Sequence, residues 1–295
     1  MKIIIINITK NWVYRLYEEY IISIKNFLEE NYKNLSVEIF FYSNDLFDSV
    51  IFDDIYLKYY DKIFYSGDLE IFKILLDKIN YNYNKVYFIN VEQMSHPSYY
   101  NMIRNIDTNI NIIDYSEENI PFFKNIYNKV YLFPPYFKEK KIVNEKNIDI
   151  ISICNNDYRN KILKDIQLNK NFNIFFIDNC YGDIRDKYFS ESKIYINIHC
   201  STEHKTMELI RIVNLIMHKV IVISEKSIFD NLLFINKYIL VCNNMKDLNK
   251  NINDILTNYN YLFNKIYGDF NKEEYYQFIK ENIDKLILEE EIYTC

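Results

Sequence analysis

Short apolar runs rich in Ile, Val, Phe and Tyr alternate along this chain with longer stretches whose apolar residues recur at helical spacing. Such alternation reads as βαβ units feeding a parallel sheet. The pattern predicts strands near Lys2–Ile8, Val37–Tyr42, Lys62–Tyr65, Lys85–Val91, Ile110–Asp114 and Lys129–Phe133. Between them it predicts a long helix near Val13–Glu30 and shorter ones around 68–79, 97–105 and 116–125. Pro134-Pro135 and the charged stretch Lys138–Lys146 then interrupt the rhythm, because proline lacks the amide a ladder needs and a polar run suits a surface linker. A second series follows, with strands near Asp149–Cys154, Asn173–Asp178, Lys193–His199, Val220–Ser224 and Tyr238–Cys242. Its helices are expected near 157–168, 183–190, 205–217, 226–234 and 245–257. The tail Lys272–Glu290 is an amphipathic helical pattern with Tyr276, Phe278, Ile279, Ile283 and Ile287 as apolar positions.

A chain of 295 residues fits two such domains of about 130–150 residues, each long enough to bury a core. The expected division is residues 1–137, 147–270 and a helical tail 271–295. Ligands of open α/β sheets bind beyond the carboxyl ends of the strands, so the loops after strands are the first place to look for chemistry. A net charge of −6 argues against a general nucleic-acid or anionic-membrane surface, which would attract clustered Lys and Arg. The apolar run Met1–Ile6 is short and lacks a following cleavage site, so it reads as a buried strand, and no stretch approaches the roughly 18–20 apolar residues of a membrane span. The five cysteines are far apart with no CxxC pair, which disfavours a zinc site and suits reduced thiols in a cytoplasmic protein.

The chain has no GxGxxG and no P-loop, since Gly67, Gly182 and Gly268 are isolated, and hydride transfer on NAD and P-loop phosphoryl transfer lose their support. The most informative stretch is KIYINIHCSTEHKTMELIRIVNLIMHKVIVISE, residues 193–225, in which a strand ends at His199, a polar loop runs to Lys205, a helix opens near Thr206 and a second strand leads to Glu225. It resembles the donor-binding half of GT-B glycosyltransferases, where a strand ending in NxH leads to a helix with an acidic residue near its start and then to a strand ending in ISE. FINVEQMS (88–95), IIDYSEENI (112–120) and LFPPYF (132–137) are similar to acceptor-half segments of that family, and DIISICNNDYRNKIL (149–163) to the first strand, loop and helix of the donor half. Among its members the likeness is to small single-chain glycosyltransferases of large DNA viruses and some bacteria.

The resemblance implies an α/β fold of two Rossmann-like domains facing a central cleft, with a C-terminal helix. It implies transfer of a sugar from a nucleoside-diphosphate sugar to a hydroxyl of a glycan or glycoconjugate, with no cofactor and no metal. Glu208 matches the acidic residue that holds the donor ribose, and its other reading is pairing with a helix dipole. Arg159 and Arg211 suit the donor pyrophosphate, because a planar guanidinium matches phosphate oxygens, or form surface ion pairs. Asn155, His199, Lys205, Thr206 and Glu225 complete the donor-side set. Glu92 and His96 follow a strand end of the first half and are candidates to deprotonate the acceptor, with a structural carboxylate as the alternative for Glu92. Two departures stand out. Cys154-Asn155-Asn156 occupies a loop where relatives carry glycine, and Cys200 stands where the paired-glutamate spacing of retaining members would put a Glu before Glu208. The rival functions are a nucleotide-sugar epimerase on the same fold and a non-catalytic nucleotide-sugar-binding module. Asp53-Asp54 does not close a clear strand and is set aside as a metal motif, and the stripe Tyr56, Tyr59, Tyr60 reads as a half-buried face.

Overall fold

The computed structural model describes residues 1–9, 14–43, 57–141, 145–153, 156–168, 174–178 and 180–288. Asp53, Asp54, Tyr56, Cys154 and Asn155 lie outside the described residues. The chain divides into two compact units, the first comprising Met1–Met94, Ser98–Tyr136 and Phe278–Cys295, the second Ser95–Pro97 and Phe137–Gln277.

The first unit carries β1 (Lys2–Thr9), α1 (Tyr14–Asn31), β2 (Ser36–Ser43), β3 (Lys62–Gly67), α2 (Leu69–Lys78), β4 (Val86–Asn90), α3 (Pro97–Ile103, joining from Ser98), β5 (Asn111–Asp114), α4 (Ile120–Phe123) and β6 (Val130–Leu132). Its strands form one parallel sheet in the order β2-β1-β3-β4-β5-β6. Central strands of such a sheet are covered on both faces, which explains why Ile3 to Ile6 of β1 and Ile63 to Tyr65 of β3 are buried without alternation. On α1 the buried residues Tyr20, Ile21, Ile24, Phe27 and Leu28 recur at helical spacing and form its inward stripe. Helix α2 starts at Asp68, whose carboxylate accepts from the Glu70 and Ile71 amides (2.9 and 3.3 Å).

Gly67 closes β3 at φ +136°, and a Cβ there would fall 1.7 Å from the Ile8 carbonyl oxygen of the neighbouring strand. That carbonyl also accepts from the Asp68 amide (3.0 Å), so strand and helix cap meet at one point. Gly67→Ala is expected to cost at least about 1–3 kcal/mol in backbone strain alone, read as a lower denaturant midpoint. An unchanged midpoint would mean that β1 and β3 part there at little cost.

The second unit carries β7 (Ile148–Ile153), α5 (Asp157–Leu168), β8 (Ile174–Ile177), α6 (Gly182–Glu191), β9 (Ser192–Asn197), α7 (Leu209–Met217), β10 (Ile221–Glu225), β11 (Ile239–Cys242), α8 (Met245–Thr257), α9 (Tyr259–Tyr267) and the start of α10 (Lys272–Leu288). The sheet is parallel in the order β11-β10-β9-β7-β8, so the chain reverses its direction of winding between β7 and β9.

Several expectations need correction. The helix foreseen over 205–217 begins only at Leu209, leaving Lys205 and Thr206 in the preceding loop. The one foreseen over 226–234 is replaced by two 3-10 turns, Asp230–Leu232 and Phe234–Tyr238. The expected helix at 116–125 shortens to Ile120–Phe123. Helix α9 was not foreseen; the Tyr267 hydroxyl fixes it by donating to the Val220 carbonyl (2.5 Å). In the charged stretch 138–146, Glu139 pairs with Lys219 (2.9 Å) and Lys272 (3.4 Å), and Lys146 donates to the Ser192 carbonyl (2.8 Å). Tyr60 is buried with its hydroxyl on Glu38 (2.7 Å), whereas Tyr59 is exposed, so these two do not share a face.

Candidate functional site

In the second unit the carboxyl ends of β9, β10 and β11 surround a pocket of about 420 Å3, within the size range of small-ligand sites. After β9 the backbone amide of His199 donates to Glu225 Oε2 (2.8 Å), which joins the ends of β9 and β10. The His199 ring is buried at the pocket wall, with Nε2 3.3 Å from the Lys226 carbonyl and no hydrogen-bond partner for Nδ1 among the described residues. Lys205, exposed, also lines the pocket, and its backbone is fixed by the Ser95 hydroxyl (2.8 Å) and the Ile228 amide (2.8 Å). Of the donor-side candidates, then, His199, Lys205 and Glu225 converge here.

Arg159, Glu208 and Arg211 form a separate knot. Arg159 Nη2 reaches Glu208 Oε1 at 2.6 Å, Arg211 Nη1 reaches Oε2, and Arg159 Nε donates to the Ile198 carbonyl (2.8 Å) just before His199. The two arginine side chains are 3% and 7% exposed, against 19% for that of Glu208, so the arginines sit deeper than the carboxylate. Burial would raise the Glu208 carboxyl, but the charges of Arg211 and Arg159 outweigh it and hold the group below its ordinary value. Glu208 stands directly before α7 but makes no side-chain cap, so dipole pairing through a cap is not its arrangement. Asn156, following the undescribed Asn155, caps α5 by accepting from the Arg159 amide (2.9 Å) and donates to the Cys200 carbonyl (2.9 Å). Thr206 is fully buried and does not line the pocket.

Glu92 and His96, four residues apart, fall in different units. His96 Nε2 lies 3.0 Å from Glu203, and its ring centroid is 4.6 Å from that of His204. Burial and the neighbouring His96 push the His204 imidazole below its ordinary value. Glu92 follows β4 in the first unit. Its backbone carbonyl accepts from the Asn90 and Asn119 amides (2.9 and 3.0 Å), and its Oε1 accepts from the Tyr17 hydroxyl (2.6 Å). Beneath it Asp114, fully buried at the end of β5, accepts from Asn90 (2.6 Å), Asn119 and the Ser116 amide (2.7 Å).

Burial pushes the Asp114 carboxyl up to about 7, against the opposing pull of these donors. Between its ordinary 3.8 and about 7 this one group therefore binds more protons in the native chain than in the unfolded one, so its contribution to stability falls as pH rises, while the lowered imidazoles of His204 and His218 contribute in the opposite sense. The slope that Asp114 alone adds approaches one proton, about 1.4 kcal/mol per pH unit, near pH 5–6, and it is read as the difference between denaturant melts of the parent and of a variant without the carboxyl. Asp114→Asn should remove it, and an equal slope in that variant would assign the proton elsewhere.

Residues that sequence reasoning did not single out also line the pocket: Tyr158, His204, Lys226, Asn243, Asn244 and Leu248. Asn244 accepts from the Asp247 amide (3.1 Å) as a cap for α8, and the spacing of Asn244 and Asp247 in the sequence was a readable capping signal.

The sequence matches no family profile. It is 28% identical over 211 residues to the uncharacterized protein R358 of Acanthamoeba polyphaga mimivirus, covering 68% of this chain and 73% of that one. With the uncharacterized protein L140 of the same virus it shares 32% over 180 residues, 57% of each chain. Among solved structures, the β-glucosyltransferase of T4 phage in complex with UDP and Mn2+ superposes with a TM-score of 0.54 at 15% identity, covering 96% of this chain and all of that one. The chain has the GT-B fold. That agrees with the expected class, two parallel α/β sheets and a long C-terminal helix. Among the described residues no helix is long and apolar enough to cross a membrane.

Proposed function

We propose that this chain is a glycosyltransferase that moves a sugar from a nucleoside-diphosphate sugar to a hydroxyl acceptor. The pocket at the carboxyl ends of β9, β10 and β11 carries this reading, because it lies where a sheet of this winding takes its ligand. It is supported by the GT-B fold, which the T4 phage enzyme, with UDP-glucose as its substrate, shares. Glu208 takes the ribose hydroxyls. Arg159 and Arg211 hold Glu208 ionised and in place, and the three charges sum to one positive, which favours a diphosphate nearby. Lys205 and Lys226 at the pocket wall meet the charge that develops on the departing diphosphate. Glu92 takes the proton of the acceptor hydroxyl.

The acceptor on this reading is a glycan or glycoconjugate in the cytoplasm, and no metal or other cofactor takes part. The similar β-glucosyltransferase is a DNA-modifying enzyme, but a chain with net charge −6 is a poor match for a polyanion. A panel of UDP-, GDP- and dTDP-linked sugars tests the donor site, since a ligand at about 100 times its dissociation constant adds roughly 2.7 kcal/mol to the folded state. A rise in Tm with one nucleotide class is expected, followed by transfer to an oligosaccharide that persists in chelator. No rise with any donor would overturn the reading. Transfer to DNA, or a need for Mn2+, would replace its acceptor or its metal-free part.

A further inference from the structure

A carboxylate that abstracts a proton must be held by something other than the acceptor, or it turns away on its own rotatable bonds. The backbone of Glu92 is fixed by Asn90 and Asn119, whose amides are themselves held by the buried Asp114. Both of these bonds are made to the main chain of Glu92. The side chain is met from helix α1, where the Tyr17 hydroxyl donates to Oε1 at 2.6 Å across 75 residues of sequence. The bond is short and charge-assisted, of the kind that fixes direction as well as distance.

We propose that Tyr17 is the positioning residue for Glu92, aiming the carboxylate at the acceptor hydroxyl and keeping it ionised. This rests on the glycosyltransferase reading with Glu92 as base. In the step itself the acceptor's proton passes to Glu92, the acceptor oxygen bonds to the anomeric carbon, and the bond from that carbon to the diphosphate breaks, with its electrons leaving on the nucleoside diphosphate. Tyr17 keeps its own proton throughout. Burial and then the Glu92 charge drive its phenol well above the ordinary range, so it remains a donor at every working pH. Among the described residues, Tyr115, just after β5, and Tyr99 of α3 also act on the Tyr17 phenol, and Asp114 is joined to Glu92 through Asn90.

The test is the pH profile of turnover in Tyr17→Phe, which removes one oxygen and leaves the ring. Without the donated bond the Glu92 carboxylate is less stabilised. The acid limb of kcat/KM should move up by about one pH unit, equivalent to a tenfold weaker hold on the charge, with plateau kcat down about tenfold. Donor KM should stay within about twofold of the parent, which a merely structural role for Tyr17 would not select. Replacing Tyr17 by 3-fluorotyrosine, a more acidic donor of nearly the same shape, should move the limb the opposite way and serves if the Phe variant does not fold. A limb that stays in place in both variants, in an enzyme that Glu92→Gln inactivates, overturns the role of Tyr17 alone. Parent-like turnover in Glu92→Gln overturns the base assignment, and this inference with it.

Discussion

Glu92→Gln is expected to lower turnover by about 10²–10⁴-fold, the span typical of losing a general base, with affinity for the nucleotide-sugar within about twofold of the parent. The structure makes this a clean substitution. The main chain at Glu92 is fixed by Asn90 and Asn119, and the side-chain carbonyl of Gln can still accept from the Tyr17 hydroxyl. Shape and fold are kept while the proton-accepting charge goes. Single-turnover rates beside donor calorimetry provide the measurement. Near-normal turnover would remove Glu92 from the mechanism and turn attention to His96, which lies against Glu203 in the second unit.

Glu208→Ala should weaken donor binding roughly ten- to a hundred-fold, since a hydrogen bond to a charged group contributes about 1.5–3 kcal/mol. The ion knot adds a second effect. Removing the carboxylate leaves Arg159 and Arg211, both nearly buried, facing each other without it, and breaking a buried pair in this way costs up to about 3–5 kcal/mol. Because the Glu208 carboxyl is depressed, its stabilisation is present above its ordinary 4.5 and fades as pH falls through the lowered value. Melts of parent and variant should therefore differ at pH 7 and converge in acid. Donor binding is read separately by calorimetry below the melting range. A variant that melts early yet binds donor within about twofold, under roughly 0.4 kcal/mol, would show that Glu208 holds the arginines and nothing else.

Much of the fold was legible because parallel strands buried on both faces are built around continuous apolar runs, as Ile3–Ile6 and Val220–Ile223 are. Helices were less so where caps were missing. Thr206 looked like the opening of a helix, but the chain turns helical only at Leu209, behind a Glu that makes no cap, and the KSIFDNLLF segment, although Ser227 and Asp230 have the spacing of a capping pair, folds as two 3-10 turns that make no side-chain cap. Helix α9 hides in an aromatic, Asn-rich run, since those residues are middling helix formers and its position is set by Tyr267 reaching Val220. In the site, the rule that ligands meet strand carboxyl ends pointed to His199 and Glu225 before any contact was known. The Glu208–Arg211 contact spans three residues and could be read from helical spacing, whereas Arg159 meets Glu208 from 49 residues away and Tyr17 meets Glu92 from 75. Pairings of that range are products of the fold, and a single sequence carries no local trace of them.

Helix α10 starts in the second unit and, from Phe278, belongs to the first, where Ile279, Ile283, Leu286 and Ile287 are buried and Asp284 accepts from the Tyr32 hydroxyl (2.7 Å). The unit that is made first is thus completed last. Its other residues end at Tyr136, so during synthesis it waits for about 150 more residues, roughly 10–30 s at about 5–20 residues per second, before its final apolar stripe arrives. Through that interval the nascent chain carries an unfinished core, still short of the stripe that Ile279, Ile283, Leu286 and Ile287 bring to it.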